Sequence, residues 1–204
     1  MTITFQNAKD HLRTITKHKR LVTKYCFAVG LYRQGIGHDL SKYAPSEFLT
    51  GAQFYAGNRS PNAVAREELG ISTAWLHHKG RNKHHYEYWI DQDLEGRREM
   101  VGFPMPYEYV AEMFCDRLAA SKVYLGEHYT DDYPLRYYEP LKTSPYMHPD
   151  TKKELEALLT MLKNRGEAET LAYLKNEIKR RRLSPKKQQI HKRPSGRKTR
   201  QTVQ

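Results

Sequence analysis

Residues 107–126 carry Val110, Met113, Phe114, Leu118, Ala119, Val123 and Tyr124 at helical spacing, and Asp116 falls inside that apolar pattern, in the stretch MFCDRLAA. A carboxylate bounded by Phe114, Cys115, Leu118 and Ala119 is costly to bury alone. Whatever fold places this helix in a core must therefore bring a cation to Asp116: Arg117, another basic side chain, or a metal ion. That requirement limits the chain more than its composition does.

The surrounding pattern is helical throughout. Leu12, Ile15, Leu21, Val22, Tyr25, Cys26, Val29 and Tyr32 recur at i, i+3, i+4, i+7 and predict a helix from Asn7 to about Tyr32. Short helices are expected after HDLSK, over Ser46–Tyr55 and around His85–Leu94. Ala63–Lys79 reads as one helix interrupted at Gly70 and ended by Gly80 and Asn82. Thr151 and Glu154 form a T-x-x-E capping-box signature ahead of Leu155, Leu158, Leu159 and Leu162; Gly166 stops that helix, and Leu171, Leu174 and Ile178 mark a last one. No run of strands and no repeat is evident. The expectation is an all-α helical bundle with a C-terminal helical hairpin. Residues 1–130 form the main helical domain, 131–183 a Tyr/Pro-rich wrap and helices packed on it, and 184–204 a disordered basic tail.

The net charge of +12 is concentrated at the end. Residues 179–204 hold eleven Lys/Arg and no acid, which leaves 24 basic against 23 acidic residues before them. A nearly neutral body argues against a basic face for long nucleic acid. The tail could touch a nucleic acid weakly and in a salt-dependent way. No apolar run reaches the ~20 residues of a membrane span, the N-terminal stretch lacks a signal-peptide pattern, and two distant cysteines read as reduced, buried thiols. The expected location is the cytoplasm.

The histidines are unevenly distributed. Four of ten lie in HHKGRNKHH, residues 77–85. With His18, the adjacent pair His38–Asp39, and Asp116, they give the order H … HD … H(H) … D. Mixed His/Asp sets suit borderline divalent ions such as Mn, Fe, Co, Ni or Zn. Beside each possible ligand stands a plainer reading: a hydrogen-bonded helix histidine, a helix cap, an Asp–Arg salt bridge, or a solvated basic turn.

The combination resembles the HD-domain superfamily of metal-dependent phosphohydrolases. HDLSK resembles its HD-[IL]-[GS]-K signature, His18-Lys-Arg-Leu-Val22 its first metal histidine, HHKG the HH-E word of the HD-GYP branch, and DRLAAS the word around its last metal aspartate. These words span about residues 11–125. The string AWLHHKGRNKHHYEYW also resembles an uncharacterised bacterial and phage protein family. The HD resemblance implies metal ligands His18, His38, Asp39 and Asp116, with His77 and His78 as further ligands at a site of one or two ions. It implies Lys42 beside the substrate phosphate. HHKG lacks the glutamate of HH-E and no GYP word follows, which argues against cyclic dinucleotide cleavage.

Within the cluster, Lys79, Arg81 and Lys83 are expected to face phosphate oxygens. His84 or His85 is expected to serve as a ligand or as a general acid. The leading expectation is a phosphohydrolase acting on a nucleotide or small phosphate ester through a metal-activated water, with Lys42, Arg81, His84 and His85 as catalytic candidates. Two others stand beside it: an HD-type di-iron oxygenase using the same ligands, and a non-catalytic scaffold whose working part is the polyanion-binding tail.

Overall fold

The computed structural model describes residues 2–93 and 99–183. The tail after Leu183, and the end of the helix expected around His85–Leu94, lie outside the described residues.

Eight α-helices and one small hairpin make up the described fold. Helix α1 (Phe5–Ala28) opens on Thr4, whose Oγ1 accepts from the Asn7 N–H at 3.1 Å. It buries His11, Ile15, His18, Val22, Tyr25 and Cys26, a single stripe at i+3/i+4 spacing. After a glycine at φ +84° the short α2 (Tyr32–Gly37) folds back on α1. A 3₁₀ turn (Leu40–Tyr43) then leads to α3 (Pro45–Gln53), which starts with proline in its first turn. The expected single helix over Ala63–Lys79 is two, α4 (Pro61–Leu69) and α5 (Thr73–Lys79). Gly70 takes φ +73° and caps α4, and Ser72 starts α5 by accepting from the Trp75 N–H at 3.2 Å.

Helix α6 (Tyr107–Leu125) is the central element. It buries every residue from Val110 to Cys115, and so every side of the helix over that stretch, and continues with Leu118, Ala119 and Ser121. That burial all round is what a helix surrounded by others requires. Its partners are α1, through Val22, Tyr25 and Cys26, and the last helix, α8 (Pro149–Leu183), through Leu155, Leu158, Leu159 and Leu162. Cys26 and Cys115 are both free thiols inside this contact.

At Gly166 (φ 78°, ψ 174°) α8 breaks. Arg181 pairs with Glu154 at 2.8 Å, although a straight helix would separate them by ~40 Å at 1.5 Å per residue. The C-terminal helical hairpin is therefore present. Thr151 does not cap it: its Oγ1 is buried and accepts from the Met105 N–H at 3.0 Å. The Tyr/Pro-rich segment contributes α7 (Tyr133–Tyr138), with Tyr138 buried.

One feature was not expected. Ile90–Gln92 (β1) pairs antiparallel with Met100–Gly102 (β2), with Ile90 opposite Gly102. The residues after His85 thus form a 3₁₀ turn (Tyr86–Trp89) and a strand rather than an α-helix. Gly102 must be glycine there, because a Cβ would collide with the Tyr146 carbonyl. Among the described residues no helix is long and apolar enough to cross a membrane.

Candidate metal centre

The centre is built where α1, the α2–α3 connection, α5 and its following turn, and α6 meet. His18 comes from the buried stripe of α1. His38 caps the C-terminus of α2, and Asp39 follows at φ 53°, ψ 24°. Asp39 is the one non-glycine residue with positive φ among the described residues. The left-handed region is tolerated by Asp but costs energy. It is the turn that lets two consecutive side chains enter the same space. Lys19 secures the turn from α1, donating to the carbonyls of Ile36 at 2.7 Å and His38 at 2.9 Å.

Two sets of donor atoms share Asp39. In the first, His18 Nε2 lies 3.0 Å from Asp116 Oδ1 and 3.5 Å from Asp39 Oδ2, and His38 Nε2 lies 3.3 Å from Asp39 Oδ2 and 3.6 Å from Asp116 Oδ1. In the second, Asp39 Oδ1 lies 3.2 Å from His78 Nε2 and 3.4 Å from His84 Nε2, and His78 Nε2 lies 2.9 Å from His85 Nε2. Within each set the donor atoms all lie within 4.8 Å of one another. Neighbouring donors about 2.1 Å from one ion stand roughly 3 Å apart at right angles, so the observed separations suit coordination.

Two glutamates fix the histidine edges. Glu112, on α6, accepts from Nδ1 of His38 at 2.9 Å and of His84 at 3.1 Å. Glu47, on α3, accepts from Nδ1 of His78 at 2.8 Å and of His77 at 2.5 Å. With Nδ1 turned to a glutamate, Nε2 of His38, His78 and His84 is the atom that faces Asp39, the arrangement by which outer carboxylates orient metal-binding imidazoles.

Electrostatics agree with an anionic, nitrogen-rich pocket. Burial would raise the carboxyls of Asp39 and Asp116, but His38 and Lys42 beside the first, and His18 and His38 beside the second, hold both well below the usual range. Burial, then His84 and His78, hold His85 well below its ordinary value and keep it neutral. Glu47 and Glu112 are likewise held ionised against burial by the histidines they bind.

Buried yet without any hydrogen-bond partner are His18 Nε2, His38 Nε2, His84 Nε2 and Asp39 Oδ1. Unsatisfied buried polar atoms are rare and costly singly. His18 and His38 belong to the first donor set and His84 and Asp39 Oδ1 to the second, so each set holds unsatisfied atoms that a divalent ion would satisfy.

Residues 7–161 match the model of a family of unknown function, DUF5662. The chain belongs to that family. No curated protein and no solved structure matches it. The DUF5662 match runs from α1 into the first half of α8, so every donor of the centre lies within it.

For this DUF5662 protein, the structure gathers His18, His38, Asp39, His78 and Asp116, the residues to which the HD resemblance pointed, and places both His84 and His85 on the donor side. His77 does not join them: its ring turns to Glu47 and to Ser46 Oγ at 3.4 Å. The cations were also misplaced. Arg81 is exposed and reaches only the His77 carbonyl, and Lys83 lies over the rings of Tyr88 and Tyr109. A cavity of ≈ 350 Å³ opens on the centre, and the basic residues lining it are Lys42, Arg66 and Arg117; Lys79, Arg81 and Lys83 do not. Lys42 donates to Asp39 Oδ2 at 2.5 Å. Glu47 and Glu112 were missed. Glu112 could have been found, since it stands four residues before Asp116 and shares its helix face.

Proposed function

We propose that the protein is a metal-dependent phosphohydrolase acting on a nucleotide or other small phosphate ester. The observation that carries this reading is the group of four partnerless buried atoms around Asp39. His18, His38 and Asp116 would hold one divalent ion and His78, His84 and His85 a second, with one carboxylate oxygen of Asp39 toward each. When bound, such ions supply an activated water and positive charge against the phosphoryl oxygens. Mn, Fe, Co, Ni or Zn suits the donor set.

The protein's own groups support the same chemistry. Lys42 stands between Asp39 and the cavity, so its ammonium can meet a phosphoryl oxygen without leaving the centre. Glu112 and Glu47 keep four imidazoles in one tautomer. The cavity is at the small end of ligand sites, which favours a small ester over a polymer. The HD-like words HDLSK and DRLAAS, whose His38, Asp39 and Asp116 lie together here, favour hydrolysis. The two free buried thiols suit a reducing cytoplasm.

One observation favours a second reading. The donor set around the second ion is three imidazoles and a shared carboxylate, nitrogen-rich enough for a di-iron oxygenase of the HD type.

The test is elemental analysis of the purified protein beside Asp39→Ala, followed by a panel of nucleoside phosphates. Wild type is expected to carry about one to two transition-metal ions per chain and the variant to lose most of them. Equal metal in both removes Asp39 from the centre and overturns the proposal. Tightly held iron, an oxygen-sensitive optical spectrum and no phosphatase activity would transfer the assignment to the oxygenase.

A further inference from the structure

The geometry points to a second anion-binding position beside the metal centre, made by Arg117: the ligand of this cavity carries two anionic groups, one at the metals and one on the Arg117 guanidinium. This rests on the metal reading above and adds the substrate class.

Arg117 follows Asp116 on α6, so its backbone is fixed relative to the centre. Its side chain lines the cavity that His18, His78, His85 and Asp116 also line. The guanidinium lies 5.7 Å from the Tyr138 ring centroid, and its Nε is buried with no hydrogen-bond partner. Among the described residues no carboxylate stands within ion-pairing distance of it, and Glu87 on the same cavity wall interacts with it only through space.

Inside a protein a guanidinium without an anion is costly. The other cations of the cavity do not stand in the same state. Lys42 is bound to Asp39. Arg66 lies over Trp75 as Arg117 lies over Tyr138, but no Arg66 nitrogen is buried without a hydrogen-bond partner. Asp116, next in the chain, faces the histidines instead of Arg117. The half-buried Arg117 thus has its forked donors free of any ion pair, on a rigid helix, at the wall of the cavity. A planar fork in that position suits a carboxylate or a phosphate bound through two oxygens. Consecutive residues of a helix diverge by ~100°, so the Arg117 fork does not face the ions that Asp116 faces, and a second anion on a short spacer would reach it from a phosphate on the metals.

The experiment measures binding by calorimetry to the full-length, manganese-loaded protein. The probes are phosphonoacetate, phosphonopropionate and phosphonobutyrate, the corresponding alkylene bisphosphonates, and the matching alkylphosphonates that lack the second anion. None is a phosphate ester, so hydrolysis does not interfere. At one spacer length the two-anion probe is expected to bind wild type roughly ten- to hundredfold tighter than its alkylphosphonate. In Arg117→Met that advantage should vanish while alkylphosphonate affinity stays unchanged. Arg117→Lys should recover part of it, and melting temperatures verify that both variants fold. The carboxylate and bisphosphonate arms identify the second group. Equal binding of two-anion and one-anion probes to wild type, or an advantage that survives Arg117→Met, overturns the inference and leaves the metal reading standing. A protein that binds none of manganese, iron, cobalt, nickel and zinc overturns both.

Discussion

A single methyl group at Gly51 tests the packing behind the centre without any metal. Gly51 lies in α3, where alanine is normally the better helix former by about 1 kcal/mol. Propensity alone therefore makes Gly51→Ala stabilising. The structure reverses the sign. A Cβ at Gly51 would stand 2.5 Å from His11 Cε1 and closer still to Nε2. The ring has little room to retreat: His11 is 5% exposed, with Phe48 at 5.3 Å and Tyr55 at 6.1 Å between centroids. Overpacking of this kind costs about 1–3 kcal/mol, so the net effect is destabilisation by up to about 2 kcal/mol. His11→Ala removes the obstacle. In that background Gly51→Ala should stabilise by about 0.5–1 kcal/mol, giving a coupling of about 2 kcal/mol between two residues forty positions apart in sequence. Urea unfolding of the four proteins of the cycle, prepared without metal, measures it. A Gly51→Ala effect of the same sign and size in both backgrounds refutes the argued contact.

The two histidine pairs should separate by metal content. His84→Ala is expected to lose a large share of bound metal and His77→Ala to keep nearly all of it, read by elemental analysis; equal loss would place His77 among the donors. The same His11 predicts an acid-sensitive fold. Burial, then Lys42, lower its pKa from 6.5 to about 4, so the unfolded chain takes up this proton more readily than the folded one. The contribution is complete above about pH 6.5, is lost as pH falls from there to about 4, and amounts to on the order of 3 kcal/mol. Stability of wild type minus that of His11→Ala, followed by urea melts across this range, should shrink with falling pH; a constant difference would mean that His11 is not held neutral.

Helical periodicity made α1, α6 and the C-terminal hairpin legible, because each buries a stripe or a whole circumference against others. It failed where tertiary contact decides. The β1–β2 hairpin is three residues a side, too short for alternation to register, and its position depends on Gly102 meeting the 146–148 backbone. The H … HD … D order was readable because Asp116 could not be buried alone. Its supporting carboxylates were not, since Glu47, beside Pro45 at a helix start, looks like an ordinary first-turn acid.

The cluster at 77–85 shows most clearly where the limit lies. His77 and His78 are adjacent on a helix, so their side chains diverge by ~100° and one environment cannot take both. The inward place goes to His78, and Glu47 spans the pair with one oxygen on each ring. His84 and His85 are adjacent in an irregular turn, their rings 4.1 Å apart, and both reach the donor set. Asn82 makes that turn, donating to the His78 carbonyl at 2.8 Å and to Ser41 Oγ at 2.9 Å. It therefore ties the second histidine pair to the connection that carries Asp39. The crowding of histidines in nine residues follows from this: a helix end presents one donor atom to the candidate centre, and an irregular turn pinned to the opposite wall presents the next two.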